Sequence, residues 1–256
     1  MSATGILVRK ELLESWRTYR LPVVAGLFLL VGLTSPLLAR FLPEIAKAAG
    51  GDQLGNLQLP TPTTVDAVDQ LWKNLAQFGA FAAIILAMGA VATERDRGTA
   101  AFILSKTATR GAFLGAKAIA IGAVLAVAVV LAAATGWIYT AVLFEPMPVG
   151  GWIALALLAW LGLAAWAAIT FLGSTVTGSA AAAAGLGFLA LLVLSIAAAI
   201  PNVGRVLPGG LAAPALALAI GAPVEVADVV TPVVATIALI AACLAASAWS
   251  FRRQEL

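Results

Sequence analysis

Residues 94–117 read ERDRGTAAFILSKTATRGAFLGAK. Five bases (Arg95, Arg97, Lys106, Arg110, Lys117) and two acids stand here between apolar runs, each of which is long enough to cross a bilayer. A segment this polar cannot lie in hydrocarbon, because burying an unpaired charge costs several kcal/mol or more. It therefore marks one face of the membrane, and the orientation of the rest of the chain follows from it.

Composition points to the same class. Of the 256 residues, 62% are hydrophobic and 11% charged, against about 45–50% and about 25% in soluble domains. The mean hydropathy is +1.04. Apolar runs of about 20 residues suit helices crossing a core of roughly 30 Å, whereas barrel strands are short and alternating. The expected fold is an all-α polytopic membrane protein in one transmembrane domain over residues 1–256. The formal charge of +3 reflects basic membrane flanks and implies no nucleic acid. Cys243 lies in an apolar run and cannot form an internal disulfide. The chain has no histidine, so it lacks the commonest general base and transition-metal ligand.

Working outward from the central stretch, residues 5–20 place Val8, Leu12, Trp16 and Tyr19 on one helical stripe, with Lys10, Glu14 and Arg17 opposite. That pattern predicts a helix in the membrane interface, its aromatic residues at headgroup depth. A cleaved signal peptide is not expected, because the charged region is long and no small-x-small site follows. Spans are expected at about 21–42, 72–93, 112–144, 152–172, 179–200 and 229–251. Residues 43–70 read as an exterior loop with a short helix near 65–71. Residues 206–224 are apolar but broken by Pro208, Gly209, Gly210 and Pro214, which predicts one or two short re-entrant or interfacial helices.

With the N-terminus inside, 11 of the 15 Lys and Arg fall on the cytosolic side, and only Arg40, Lys47, Lys73 and Arg205 fall outside. This satisfies the positive-inside rule for six spans with both termini in the cytosol. A seventh span through residues 206–224 would place Arg252 and Arg253 outside.

The spans carry charge only near their ends, which argues against a self-powered, ion-coupled carrier. No HExxH and no paired intramembrane aspartates are present, and no histidine activates Ser174, Ser179 or Ser195. Those serines and Thr175 suit bonds back to helix carbonyls. The letters Gly185-x-Gly187-x-x-Ala190 imitate a dinucleotide fingerprint, but they lie in an apolar helix after no strand. Gly111 to Lys117 misses a phosphate loop, because Gly115 and Lys117 are not adjacent. No catalytic, cofactor or metal residues are expected, and the chain is read as a non-enzyme. The apolar piece 99–105 (TAAFILS), bounded by charge, suits either a partner surface or a segment tucked under the bundle.

Glu94, Gly98-Thr99, Leu104-Ser105, Arg110 and Lys117 stand in an order and spacing that resembles permease subunits of ABC-2 type exporters. Arg9-Lys10-Glu11-Leu12 with Arg17 is similar to that family's amphipathic N-terminal helix. Thr107 stands where the family often has proline, and Thr109 replaces the serine before Arg110. Among subfamilies, the chain looks most like the short multidrug, sodium-export and copper-site-maturation permeases. The resemblance implies the transmembrane subunit of an ATP-binding cassette exporter in a bacterial or archaeal cytoplasmic membrane. It would pair with a second permease copy or homologue and with cytosolic ATPase subunits, which bind the ATP and magnesium. The loop 94–111 would be the coupling segment, using Glu94, Arg95, Arg97, Gly98, Thr99, Phe102, Leu104, Ser105 and Arg110, with Val8, Leu12, Trp16 and Tyr19 at the membrane interface. A non-transporting membrane scaffold or immunity-type protein and a secondary carrier are the alternative readings.

Overall fold

The computed structural model describes residues 3–54, 61–98, 109–200 and 202–254. Among these, every regular element is helical: α1 (Ala3–Arg17), α2 (Arg20–Leu54), α3 (Thr64–Met88), α4 (Ala92–Asp96), α5 (Arg110–Leu143), α6 (Val149–Thr177), α7 (Ala180–Ala197), α8 (Ala212–Ala219) and α9 (Val226–Arg252). Two 3₁₀ turns, Gly204–Val206 and Pro208–Leu211, precede α8. Six of these helices or helix combinations are long and apolar enough to span a membrane, with α3 and α4 counted together. The protein is an all-α, multi-pass membrane protein.

The centre of the bundle is α6, which packs against α3, α5, α7, α8 and α9, while α2 lies along α5. Side chains explain how closely the helices approach. A Cβ built on Gly32 of α2 would fall 2.5 Å from Ala132 O of α5, so only glycine lets the two backbones meet there. Buried Phe28, Leu71, Leu75, Leu125, Leu155 and Phe171 fill the interior from α2, α3, α5 and α6.

Several helices run further than the sequence suggests. The first span does not give way to a loop at Pro43: α2 continues to Leu54 with Pro36 and Pro43 inside it. The sequence Glu44-Ile45-Ala46-Lys47-Ala48-Ala49 consists largely of strong helix formers, and this carries the helix past a proline that removes one hydrogen bond. The short helix expected at 65–71 is the beginning of α3. Asp66 Oδ2 accepts from the N–H and hydroxyl of Thr63, each at 2.7 Å, and Val68 and Leu71 are buried at once, so propagation is uninterrupted. At its far end α6 runs to Thr177 rather than turning at Gly173: Thr175 and Thr177 satisfy their hydroxyls on Phe171 O and Gly173 O at 2.9 Å, and the helix stops only at Gly178, whose φ of 67° is left-handed. The region expected as re-entrant holds short helices, with Leu211, Ala215 and Ala219 buried. It rests on α6 at Gly151, where an added Cβ would collide with Leu218 O.

Candidate functional site

The charged stretch and its surroundings gather at one end of the bundle. The break after α3 is held by Ser174, whose hydroxyl accepts from Val91 N–H and Ala92 N–H at 3.1 Å each. These are open donors at the start of α4, so a buried side chain of α6 fixes the direction in which α4 leaves. On the other side of residues 99–108, Thr109 Oγ1 caps α5 by accepting from Ala112 N–H at 3.1 Å.

Glu94 on α4 and Lys117 on α5 form the shortest of a set of ion pairs, at 2.6 Å. Lys117 Nζ also reaches Glu11 Oε1 and Oε2 at 3.1 and 3.2 Å. Lys10 adds contacts to Glu11 at 3.0 Å and to Glu14 and Glu94 at 3.3 Å. Lys117 lies two helical turns inside α5, about 10 Å from Arg110 along the axis, and its side chain is 4% exposed. An ammonium this enclosed is stable only with its carboxylates in place. Glu11, Glu14 and Glu94 bring oxygen atoms within 4.8 Å of one another, and the two lysines supply the positive charge that such a trio requires. Burial by itself would lower the Lys10 ammonium. The hydrogen bond to Glu11 and the charges of Glu11, Glu94 and Glu14 outweigh it and hold the group above the ordinary lysine range.

The neighbouring basic residues are tied in as well. Arg95 Nη1 donates to Gln254 Oε1 at 2.7 Å and to Thr175 O at 3.2 Å. Arg110 Nη1 donates to the carbonyls of Phe251, Arg252 and Gln254 at 2.6, 3.0 and 3.0 Å. The carbonyls of Phe251 and Arg252 end α9 without intrahelical partners and that of Gln254 follows just beyond it, so the guanidinium caps that terminus and meets its negative dipole end. Arg110 also lies 5.8 Å from the Phe251 ring, which stacks on Phe113 at 5.7 Å, and Lys117 lies 5.0 Å from the Phe113 ring. A line of cation and aromatic contacts thus joins the ion cluster to the end of α9.

Of the residues singled out in the sequence, Glu94, Arg95 and Arg110 are brought together with α1, α6 and α9. Arg97 and Gly98 are exposed. Thr99, Phe102, Leu104 and Ser105 lie outside the described residues. The stripe of α1 is divided: Val8 and Leu12 are half-buried, with Leu12 packed on the core, while Trp16 and Tyr19 are 61% and 71% exposed. Lys10 and Glu14, expected on an outer polar face, turn toward Glu94 and Lys117. Ser174, expected to bond back to a helix carbonyl, instead accepts from the backbone of Val91 and Ala92, and sequence reading gave no role to Glu11, Phe251 or Gln254. Only Glu11 carried a signal, as part of the Arg9-Lys10-Glu11-Leu12 match.

A family model described as "ABC-2 family transporter protein" matches residues 6–215. The chain belongs to the ABC-2 transporter family. The matched range runs from α1 into α8 and includes every residue of the ion cluster. An uncharacterized transmembrane protein of Bacillus subtilis (strain 168), YxlG, is 32% identical over 120 residues. That alignment spans 46% of this chain and 46% of the relative, just under half of each. The chain therefore carries the membrane-spanning domain of an ABC-2 family transporter protein.

Proposed function

We propose that this ABC-2 permease is the membrane subunit of an exporter and receives the motion of its ATPases through the segment between Glu94 and Arg110. The observation that carries this reading is the anchoring of both ends of residues 99–108. Glu94 and Arg95 on one side, and Arg110 on the other, bind α1, α5, α6 and the end of α9. A push on the intervening segment would therefore reach four helices as one body instead of dissipating in a loop. Phe102 and Leu104 supply the apolar surface for a groove on the ATPase. The exposed Arg97 and Asp96 are placed to add charge at its rim.

The positive-inside count supports a cytoplasmic membrane of a bacterium or archaeon, with the charged end and both termini in the cytosol. ATP and magnesium would be held by the ATPase subunits, and the pathway completed by a second permease copy or a homologue. The scarcity of charge within the spans favours an apolar or amphipathic substrate. Substituting Phe102→Asp together with Leu104→Asp tests the coupling assignment: the expected result is loss of ATPase co-purification with normal membrane insertion. Unchanged association would overturn the assignment. Stimulation of the purified complex by small hydrophilic ions alone would overturn the substrate class.

A further inference from the structure

We propose that the cavity beside the ion cluster is a binding site for one anionic phospholipid, drawn from the leaflet at the charged end of the bundle. The cavity, about 370 Å³, lies between α1, α2, α3, α4 and α5. Its lining changes character with depth. On the α3–α4 side, Arg97, Glu94 and Thr93 give way to Ala90 and Leu86; along α5, Lys117 gives way to Ala120, Ile121 and Val124. From Lys117 to Val124 the helix rises about 10 Å. A polar mouth over an apolar floor, opening at the end of transmembrane helices, matches the polarity gradient of a lipid, with the headgroup at the mouth and one chain below.

Charge selects the headgroup. Among the described residues the lining holds four cations (Lys10, Arg20, Arg97, Lys117) and three carboxylates (Glu11, Glu14, Glu94), so one positive charge is in excess among them. The two lysines are engaged by the carboxylates. Arg20 and Arg97 are exposed and make no side-chain hydrogen bond or ion pair among the described residues. Two unengaged guanidinium groups suit a phosphodiester, which each can meet with paired N–H donors. A monoanionic lipid brings the site to neutrality, whereas a zwitterionic one would leave the excess and set a second cation beside the arginines.

The site shares Glu94 and Arg97 with the segment assigned to ATPase coupling, but lipid binding is read without any ATPase and so stands or falls independently of that assignment. The purified permease is exposed to equal amounts of phosphatidylglycerol, phosphatidylcholine and phosphatidylethanolamine, and the retained lipid is counted by native mass spectrometry. One phosphatidylglycerol per chain is expected. Arg20→Gln and Arg97→Gln should each weaken its retention about fivefold, the worth of one basic residue at an anionic surface. The double variant should erase the preference, and Arg17→Gln, outside the lining, should leave it intact. If the variants do not fold, the wild-type preference must still fall with rising sodium chloride. Equal retention of all three lipids, a preference indifferent to both salt and the arginines, or displacement by soluble glycerophosphate at the same concentration would overturn the proposal. The last outcome would leave a site for free phosphate only.

Discussion

Lys117 Nζ stands 2.6 Å from Glu94 Oε1, so the end of one membrane helix is tied to the second turn of the next across the segment assigned to the partner ATPase. The two residues are 23 positions apart in sequence, and the ammonium is the more enclosed of the pair.

Removing that ammonium leaves Glu11 and Glu94 facing each other at a largely buried site. Lys117→Met is expected to lower stability by about 3 kcal/mol, the low end for breaking a buried ion pair, because Lys10 still faces both carboxylates. The triple change Lys117→Met, Glu11→Gln, Glu94→Gln should recover most of the loss, since replacing the whole set removes the unpaired charge. Thermal unfolding in detergent by intrinsic fluorescence measures both.

Arg110→Lys keeps the charge but gives up the planar fork that serves three carbonyls and lies over Phe251. Loss of a charge-assisted hydrogen bond costs about 1.5–3 kcal/mol, and lysine does not reproduce the geometry. The variant is expected to insert normally while its partner ATPase shows reduced substrate stimulation. Stimulation equal to wild type would separate this contact from coupling.

Gly151 and Gly150 are adjacent and should respond oppositely to alanine. At Gly151 the new methyl would meet the Leu218 carbonyl, and overpacking of this kind costs about 1–3 kcal/mol. At Gly150 nothing lies within 4 Å, so alanine should be neutral or raise stability by up to about 1 kcal/mol. Comparing the two melting midpoints isolates the contact with the short helices before α9.

Because Lys10 is held above its ordinary range, its contribution is complete below the unfolded lysine value of about 10.4 and is lost as pH rises through the folded value. The stability difference between wild type and Lys10→Met should therefore stay constant between pH 7 and pH 9 and shrink only in strong alkali. A difference that vanished near neutrality would contradict the contacts to Glu11, Glu14 and Glu94.

Much of the fold is legible in the sequence because lipid imposes a simple requirement. Apolar runs long enough to cross must be helices, and the positive-inside count argues against another span before α9, which would put Arg252 and Arg253 outside. Periodicity shows that a stripe is apolar but not whether lipid or protein covers it, and so Val8 and Leu12 part company with Trp16 and Tyr19 on α1. The ion cluster was less accessible still. Glu11 lies 106 residues from Lys117, and Gln254 lies 159 residues from Arg95. No local pattern records pairings that only the helix packing creates. The overrun of α2 past Pro43 has a different origin: residues 43–70 read as a loop from their Gly, Pro, Thr and acid content, while the helix formers directly after Pro43 carry the helix to Leu54.

The capping of α9 by Arg110 bears on how permeases of this kind can be recombined. The residues that flank positions 99–108 are not held locally: Glu94, Arg95 and Arg110 are fixed by α1, α5, the end of α6 and the final turn of α9. Transplanted alone into another permease, those flanking residues would arrive without the partners that hold them. The smallest portable module is discontinuous: the segment with Lys10 and Glu11 before it, and Thr175, Phe251 and Gln254 after it.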